Sequence, residues 1–167
     1  SQAEIPGLPG VRYRLTDIEV MAREGADSAE REKRYLASIG HKGPMPPAIY
    51  LAVSGGGDAG AFGAGLLNGW TKAGNRPQFK LVTGISTGAL IAPFAFLGPN
   101  YDDRLKDFYT NIGPADIVEH RSLWAAVTDD ALADNRPLWN RVAKEVDRAL
   151  LDEVAAEYDK GRLLLIA

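Results

Sequence analysis

The feature that most constrains the fold of this chain is an apolar run that ends in three consecutive glycines. The run AIYLAVS, residues 48–54, has the length of a strand, with prolines before it and glycines after it, as is typical of a strand buried on both faces. The run is followed by Gly55, Gly56 and Gly57. Ordering glycine costs more conformational entropy on folding than ordering any other residue. Followed by a helix, such a loop favours an anion site built from backbone amides.

Helices and strands alternate along the rest of the chain. Periodicity predicts helices over residues 58–72, 89–98, 101–113 and 137–161, and strands over residues 79–83 and 162–167. Pro93 lies within the second helix and should kink it. The aromatic residues Phe62, Phe94 and Phe96 are expected in the core. Because a right-handed crossover joins the first two strands, these strands should be parallel and adjacent.

The first 47 residues differ in character from this core. Residues 1–10 are polar and punctuated by proline and glycine, which predicts an extended arm. Residues 27–39 predict a short charged helix whose REKR segment should face solvent. We therefore divide the chain into an N-terminal arm with a short helix, residues 1–47, and an α/β domain, residues 48–167.

Charge and composition exclude some classes of partner and site. With 22 acidic and 19 basic residues the net charge is -3, which gives no electrostatic case for nucleic acid as a partner. Cysteine is absent, so disulfides, thiolate ligands and a cysteine nucleophile are excluded. No apolar run approaches the ~20 residues of a membrane span. The first residue is Ser1 rather than Met, which is compatible with removal of an export signal.

The segment from Gly55 to Gly60 also fits the G-x-G-x-x-G pattern of a dinucleotide site. A Rossmann site requires in addition an acidic residue at the end of the next strand, about twenty residues beyond the glycines. That strand ends in VTGIS, which contains no acid. A nucleotide-binding α/β domain that holds a phosphate with these glycines therefore stays an alternative.

A second motif, Gly84-Ile85-Ser86-Thr87-Gly88, lies where the second predicted strand meets the next helix. G-x-S-x-G at a strand-to-helix turn is typical of a nucleophile elbow, in which Gly84 and Gly88 stay small because strand and helix pass close to each other. The same position also suits a serine that caps the helix. Adjacent parallel strands would bring both glycine motifs to one sheet edge, with backbone amides beside the Ser86 hydroxyl, as acyl transfer requires.

These two motifs resemble those of the patatin-like phospholipases, a family of lipid acyl hydrolases. SGGGDAGAFGAGLLNGW resembles the glycine-rich loop and first helix of the family, and VTGISTGALIA resembles its nucleophile elbow. The resemblance implies a three-layer α/β/α fold with a mainly parallel sheet and a Ser-Asp dyad. Ser86 would be the nucleophile, the amides of Gly55, Gly56 and Gly57 the oxyanion hole, and a lipid or other ester the substrate. No metal or cofactor is implied, and a membrane surface is a possible partner.

The chain departs from the family pattern at two places. Ala59, preceded by Asp58, occupies a position where the family usually carries Lys or Arg. No Asp is followed by Gly, whereas the catalytic Asp of the family lies in an Asp-Gly-Gly or Asp-Gly-Ala motif. We therefore expect an incomplete catalytic domain whose Asp lies outside this chain, with the remainder of the protein as a second polypeptide.

Other carboxylates and both histidines are weaker candidates for a catalytic base. The carboxylates are Asp116, Asp129, Asp130 and Asp134, and the histidines, which do not fit the residue order of an α/β-hydrolase triad, are His41 and His120. A patatin-like domain that has lost its chemistry is the second alternative. The N-terminal arm resembles that of exported bacterial members, which favours the cell envelope or secretion over the cytoplasm.

Overall fold

A computed structural model describes residues 5, 7, 11, 12, 14, 16–56, 60–110 and 142–167. The helices and strands are α1 (Ile18–Ser38), β1 (Tyr50–Val53), α2 (Gly60–Lys72), β2 (Leu81–Gly84), α3 (Thr87–Leu97), a 3-10 turn (Pro99–Tyr101), α4 (Asp102–Thr110), α5 (Arg148–Asp159) and β3 (Leu163–Ile166). Residues 142–145 form a further helical turn. The predicted alternation of strands and helices is confirmed in these residues.

The three strands form one parallel sheet in the order β1-β2-β3. Tyr50 pairs with Leu81 and Val53 with Gly84, while Leu81 pairs with Leu163 on the other side. The predicted parallel neighbours β1 and β2 are therefore confirmed. All three strands end at the same edge, so the loops after β1 and β2 lie side by side.

One face of the sheet carries the core. Val82 is fully buried, with Leu51 and Leu164 beside it in the same row of the register. Helix α3 packs against all three strands, and α2 packs against α3 and α4. On the opposite face Tyr50 is exposed and Leu163 only half-buried. The described residues thus supply the sheet and one helical layer of an α/β/α fold.

Helix α2 does not bury all of the large apolar side chains that its sequence predicts to face the core. Ala64 and Leu67 are in the core, whereas Phe62 is 75% and Leu66 56% exposed. The helix begins at Gly60, which packs against the Tyr109 side chain: a Cβ there would lie 2.8 Å from the Tyr109 hydroxyl oxygen. This close approach turns the small residues of α2 inward, so the core position expected for Phe62 is wrong, while those for Phe94 and Phe96 are confirmed.

Two other helices were also predicted from the sequence. Helix α3 runs past Pro93, from Thr87 to Leu97, and the kink expected at the proline stays a prediction. The helix predicted over residues 137–161 is broken at residues 146–147 in its described part. Asp147 starts a new helix there, because its side chain accepts a hydrogen bond from the Leu150 amide (2.8 Å). Arg104 of helix α4 stabilises this break through a 2.8 Å ion pair with Asp147.

Helix α1 is longer than predicted and is packed against the α/β domain. Ser28 is buried, and its hydroxyl donates to the Gly161 carbonyl at 2.6 Å. Arg31 of the REKR segment lies 3.8 Å above the Tyr158 ring, and the neighbouring Glu32 pairs with Lys80. Half of this segment therefore docks the helix, which corrects the expectation of a solvated face. Among the described residues, no helix has both the length and the apolar character needed to cross a bilayer.

Candidate active site

Ser86 lies on the turn between β2 and α3 and has an unusual backbone. Its φ is 54° and its ψ is -124°, and it is the one non-glycine residue with positive φ in the described part of the chain. Side chains with a Cβ rarely adopt such a conformation, which costs of order 1–3 kcal/mol and is concentrated at functional sites. The serine side chain is exposed at the carboxyl edge of the sheet.

The two glycines of the elbow are required by close packing. A Cβ on Gly84 would lie 2.6 Å from the Gly88 carbonyl oxygen and 2.7 Å from the Ala92 Cβ. A Cβ on Gly88 would lie 2.2 Å from the Val53 carbonyl oxygen. Both distances are far inside van der Waals contact, so these positions exclude any side chain. The sequence prediction gave the same reason for the small residues at both positions.

The Ser86 side chain does not cap helix α3, which was the alternative interpretation of this serine. Ser86 directly precedes α3, but its side chain makes no capping hydrogen bond. Its backbone carbonyl accepts from the Ala89 amide, and its own amide donates to the Ala167 carbonyl. The backbone of Ser86 is thus held by hydrogen bonds, while its hydroxyl makes no hydrogen bond to the amides of the helix.

The glycine loop after β1 touches the elbow directly. A Cβ on Gly55 would lie 2.8 Å from the Ser86 Cβ and 3.2 Å from the Ser86 Oγ. The Gly56 amide donates to the Thr87 hydroxyl at 3.1 Å. Gly55, Gly56 and Ser86 are therefore brought together, and absence of a side chain at Gly55 makes the approach possible. Gly57, Asp58 and Ala59 lie outside the described residues.

An apolar groove of about 280 Å³ adjoins this loop. Its walls include the backbone at Gly55 together with Phe62, Leu66, Trp70 and Ile91. The exposed Phe62 and Leu66 of α2 thus have a place beside the candidate site, which periodicity alone did not indicate.

The candidate bases are not placed at Ser86 by the described residues. His41 is exposed, and its Nε2 lies 3.0 Å from the Pro44 carbonyl oxygen, in the loop after α1. His120 and the four aspartates Asp116, Asp129, Asp130 and Asp134 lie outside the described residues. In the part that is described, no carboxylate or imidazole is hydrogen-bonded to Ser86, and no three His, Asp or Glu side chains are grouped as metal ligands.

Two further residues near the site were not identified from the sequence. Thr87 is fully buried and accepts the hydrogen bond of the glycine loop. Tyr109 of α4 packs against the start of α2, and burial raises the pKa of its phenol, so the hydroxyl stays neutral at ordinary pH. For Thr87, the constant offset of 31 positions between β1 and β2 is the signal that could have indicated its contact with the glycine loop.

Comparison with protein-family models matches residues 51–161 to the patatin-like phospholipase family. The matched segment contains β1, the glycine loop, α2, β2, the Ser86 elbow and α3. Searches of curated proteins and of solved structures gave no match.

Proposed function

The chain belongs to the patatin-like phospholipase family of lipid acyl hydrolases, and from this premise we propose that it is a serine lipid acyl hydrolase with Ser86 as its nucleophile. The observation that carries the proposal is the strained, exposed Ser86 at the carboxyl edge of the sheet, with Gly55 packed against it. Such strain persists only where the surrounding structure enforces it. Here Gly84 and Gly88 on either side supply that enforcement.

In the proposed reaction the Ser86 hydroxyl oxygen attacks the carbonyl carbon of an ester. The serine proton passes to an Asp carboxylate that lies outside the described residues, and the carbonyl oxygen becomes a tetrahedral oxyanion. Amides of the glycine loop donate to that oxyanion, at about 3 kcal/mol for each well-placed donor. Collapse expels the alcohol, which takes up the proton, and water then hydrolyses the acyl-serine to release the carboxylic acid.

The groove beside Gly55 supports an apolar acyl group as part of the substrate. Its lining includes Phe62, Leu66 and Trp70, and apolar walls with few polar groups are typical of pockets for small apolar ligands. Exposed apolar side chains at the mouth of the groove also suit a lipid surface as the place where the substrate is found. The substrate class that we propose is therefore a lipid ester.

A fluorophosphonate probe tests the nucleophile. The probe is applied to the full-length protein from its source, with Ser86→Ala and Ser38→Ala as paired variants, because Ser38 is an exposed serine at the end of α1. We expect labelling of the wild type and of Ser38→Ala, and none of Ser86→Ala. Equal labelling of all three proteins, or of none, would contradict the proposal. Mass analysis of the same material under denaturing conditions checks for the second polypeptide expected to carry the Asp.

The two alternatives from the sequence have outcomes of their own. A nucleotide site in the glycine loop requires that ATP or NAD at millimolar concentration raise the melting temperature, since a ligand that binds only the folded state stabilises it. A domain that has lost its chemistry requires that the full-length protein hydrolyse no ester. Contact of the loop with Ser86 and Thr87 favours acyl transfer over the nucleotide site, and the ester assay decides between acyl transfer and lost chemistry.

A further inference from the structure

We propose that Thr87 is a positioning residue for the acyl-transfer reaction: its hydroxyl anchors the glycine loop through the Gly56 amide and so fixes the loop against Ser86. In this structure the Gly56 amide is then occupied as an anchor, which differs from the oxyanion-hole role that the resemblance implied for it. This inference rests on the proposed function, because it assigns a role in the chemistry of Ser86.

The first support is the register of the two strands. β1 and β2 pair with a constant offset of 31 positions, from Tyr50 with Leu81 to Val53 with Gly84. The contacts beyond the strand ends keep that offset, since Gly55 lies against Ser86 and Gly56 donates to Thr87. Gly56 and Thr87 are the last pair at this offset. Their hydrogen bond uses the Thr87 hydroxyl instead of a backbone carbonyl, because the backbone after Ser86 has turned into α3.

The second support is the burial of Thr87. Its side chain is 0% exposed, and buried hydroxyl groups are almost always hydrogen-bonded. The amide of Gly56, by contrast, belongs to an exposed residue. Because the residue that carries this amide is exposed, we expect the fold to tolerate loss of the hydroxyl while the position of the loop becomes less defined.

The third support is the short distance over which this anchor acts. Gly55 already approaches the Ser86 side chain so closely that a Cβ would collide with it, and Gly56 is the next residue. A shift of the loop therefore directly changes where its amides stand relative to the oxygen under attack. Misplacement of catalytic groups by about 1 Å can lower a rate by about 100-fold.

The experiment compares Thr87→Val, Thr87→Ala and Thr87→Ser in the full-length protein. Valine keeps the shape of threonine but lacks the hydroxyl. Alanine removes both the hydroxyl and the methyl group, and serine keeps the hydroxyl but lacks the methyl group. With a soluble short-chain ester as substrate, we expect kcat to fall about 10- to 100-fold in Thr87→Val and Thr87→Ala, with KM within about threefold of wild type. Thr87→Ser should stay within about threefold in both constants.

A transition-state analogue separates positioning from a general loss of structure. A trifluoromethyl ketone forms a tetrahedral adduct with the serine oxygen, so its inhibition constant should rise in each variant by the factor by which kcat/KM falls. The matched control is Thr110→Val, because Thr110 is exposed and its hydroxyl bonds only the Lys106 carbonyl within α4. We expect the control to behave as wild type.

The outcomes distinguish this inference from the proposed function. Wild-type rates in both Thr87→Val and Thr87→Ala, or an equal loss in Thr87→Ser, would overturn the role of the Thr87 hydroxyl while Ser86→Ala still abolished activity. If the wild type itself hydrolyses no ester and takes up no fluorophosphonate, the proposed function fails and the inference fails with it. Loss in the two variants that lack the hydroxyl, with recovery in Thr87→Ser, supports the inference.

Discussion

Ser86 has a strained backbone conformation. Its positive φ lies in a region that glycine occupies easily and other residues do not. The strain is held by the packing of Gly84 and Gly88 and by the backbone hydrogen bond from Ser86 to Ala167. Since the proposed reaction needs the hydroxyl and stability does not, substitution at this residue should separate activity from stability.

We expect Ser86→Gly to be more stable than Ser86→Ala. Glycine relieves strain of about 1–3 kcal/mol, from which its greater freedom in the unfolded chain removes about 0.5–1 kcal/mol. The net gain over alanine should be at most about 2.5 kcal/mol in the free energy of unfolding, measured by urea denaturation. Both variants should be inactive.

Ser38 provides the matched control for this comparison. It is the last residue of α1, where backbone dihedrals are helical and glycine is the poorer residue. Ser38→Gly should therefore be less stable than Ser38→Ala. The same order of stability at both positions would mean that the Ser86 backbone is not strained.

The sequence predicted Ser86, Gly84 and Gly88 because each obeys a local rule of the elbow. It did not predict Thr87, since nothing local shows that its hydroxyl accepts from an amide 31 residues earlier. That partnership depends on the register of two strands, which is a property of the assembled sheet. A constant offset between the two glycine motifs is the signal that could have indicated it.

At the scale of elements, helix ends were the features least predictable from the sequence. The apolar periodicity of residues 137–161 runs on past Asp147, so it gives no sign of the break. The break depends on a capping hydrogen bond to Leu150 and on ion pairs from Arg104, which lies more than forty residues earlier. Long-range pairing therefore overrode local helix propensity.

The docking of α1 gives a prediction about Gly161. A Cβ there would lie 2.4 Å from the Ser28 carbonyl oxygen and 2.5 Å from the Glu32 amide, and its φ is +87°. Gly161→Ala therefore adds a collision with α1 to the cost of a left-handed backbone, of about 1–2 kcal/mol. We expect a total loss of about 3 kcal/mol or more in the free energy of unfolding.

Gly74 separates the two costs. Its φ is +76°, but nothing lies within 4 Å of a Cβ added there. Gly74→Ala should lose only the backbone term, about 1–2 kcal/mol. Limited proteolysis should release α1 faster in Gly161→Ala than in Gly74→Ala. Equal losses of stability in the two variants would contradict the close docking of α1 against Gly161.

Asp147 gives a prediction about pH. The hydrogen bond from the Leu150 amide, followed by that from Arg104, lowers the pKa of this carboxyl below its ordinary value. A lowered pKa in the folded state means that the stabilisation is present above the unfolded pKa and is lost as the pH falls through the folded one. Wild-type stability should therefore decline with acidification below about pH 4, and Asp147→Asn should show a smaller decline.

The measurement is urea unfolding at several pH values between 7 and 2.5. Asp152→Asn serves as the control, because Asp152 makes only an exposed ion pair, with Arg148, on the same helix. Its pH dependence should match that of wild type. An unchanged acid decline in Asp147→Asn would show that the cap carries no charge-dependent stabilisation.

At the scale of the whole molecule, the described sheet has one central strand and two outer ones. β2 is hydrogen-bonded on both sides, and its Val82 is fully buried, whereas β1 and β3 each have one neighbour. Residues 51–53 of β1 and the following Ser54 and Gly55 are among those that line the groove. The candidate site thus lies where the well-packed centre of the sheet meets its less covered edge.

Native-state hydrogen exchange tests whether the central strand β2 is more protected than the outer strand β1. Amides of β2 should exchange slowest, because they open only with the global unfolding of the domain. Amides of β1 that point away from β2 should exchange at least about tenfold faster, since no strand among the described residues accepts from them. If these β1 amides of the full-length protein are as protected as those of β2, the outer edge of β1 is paired with a further strand. Were that strand parallel to β1, the loop after it would reach the same sheet edge as the Ser86 turn, and it would be the first place to seek the Asp of the proposed dyad.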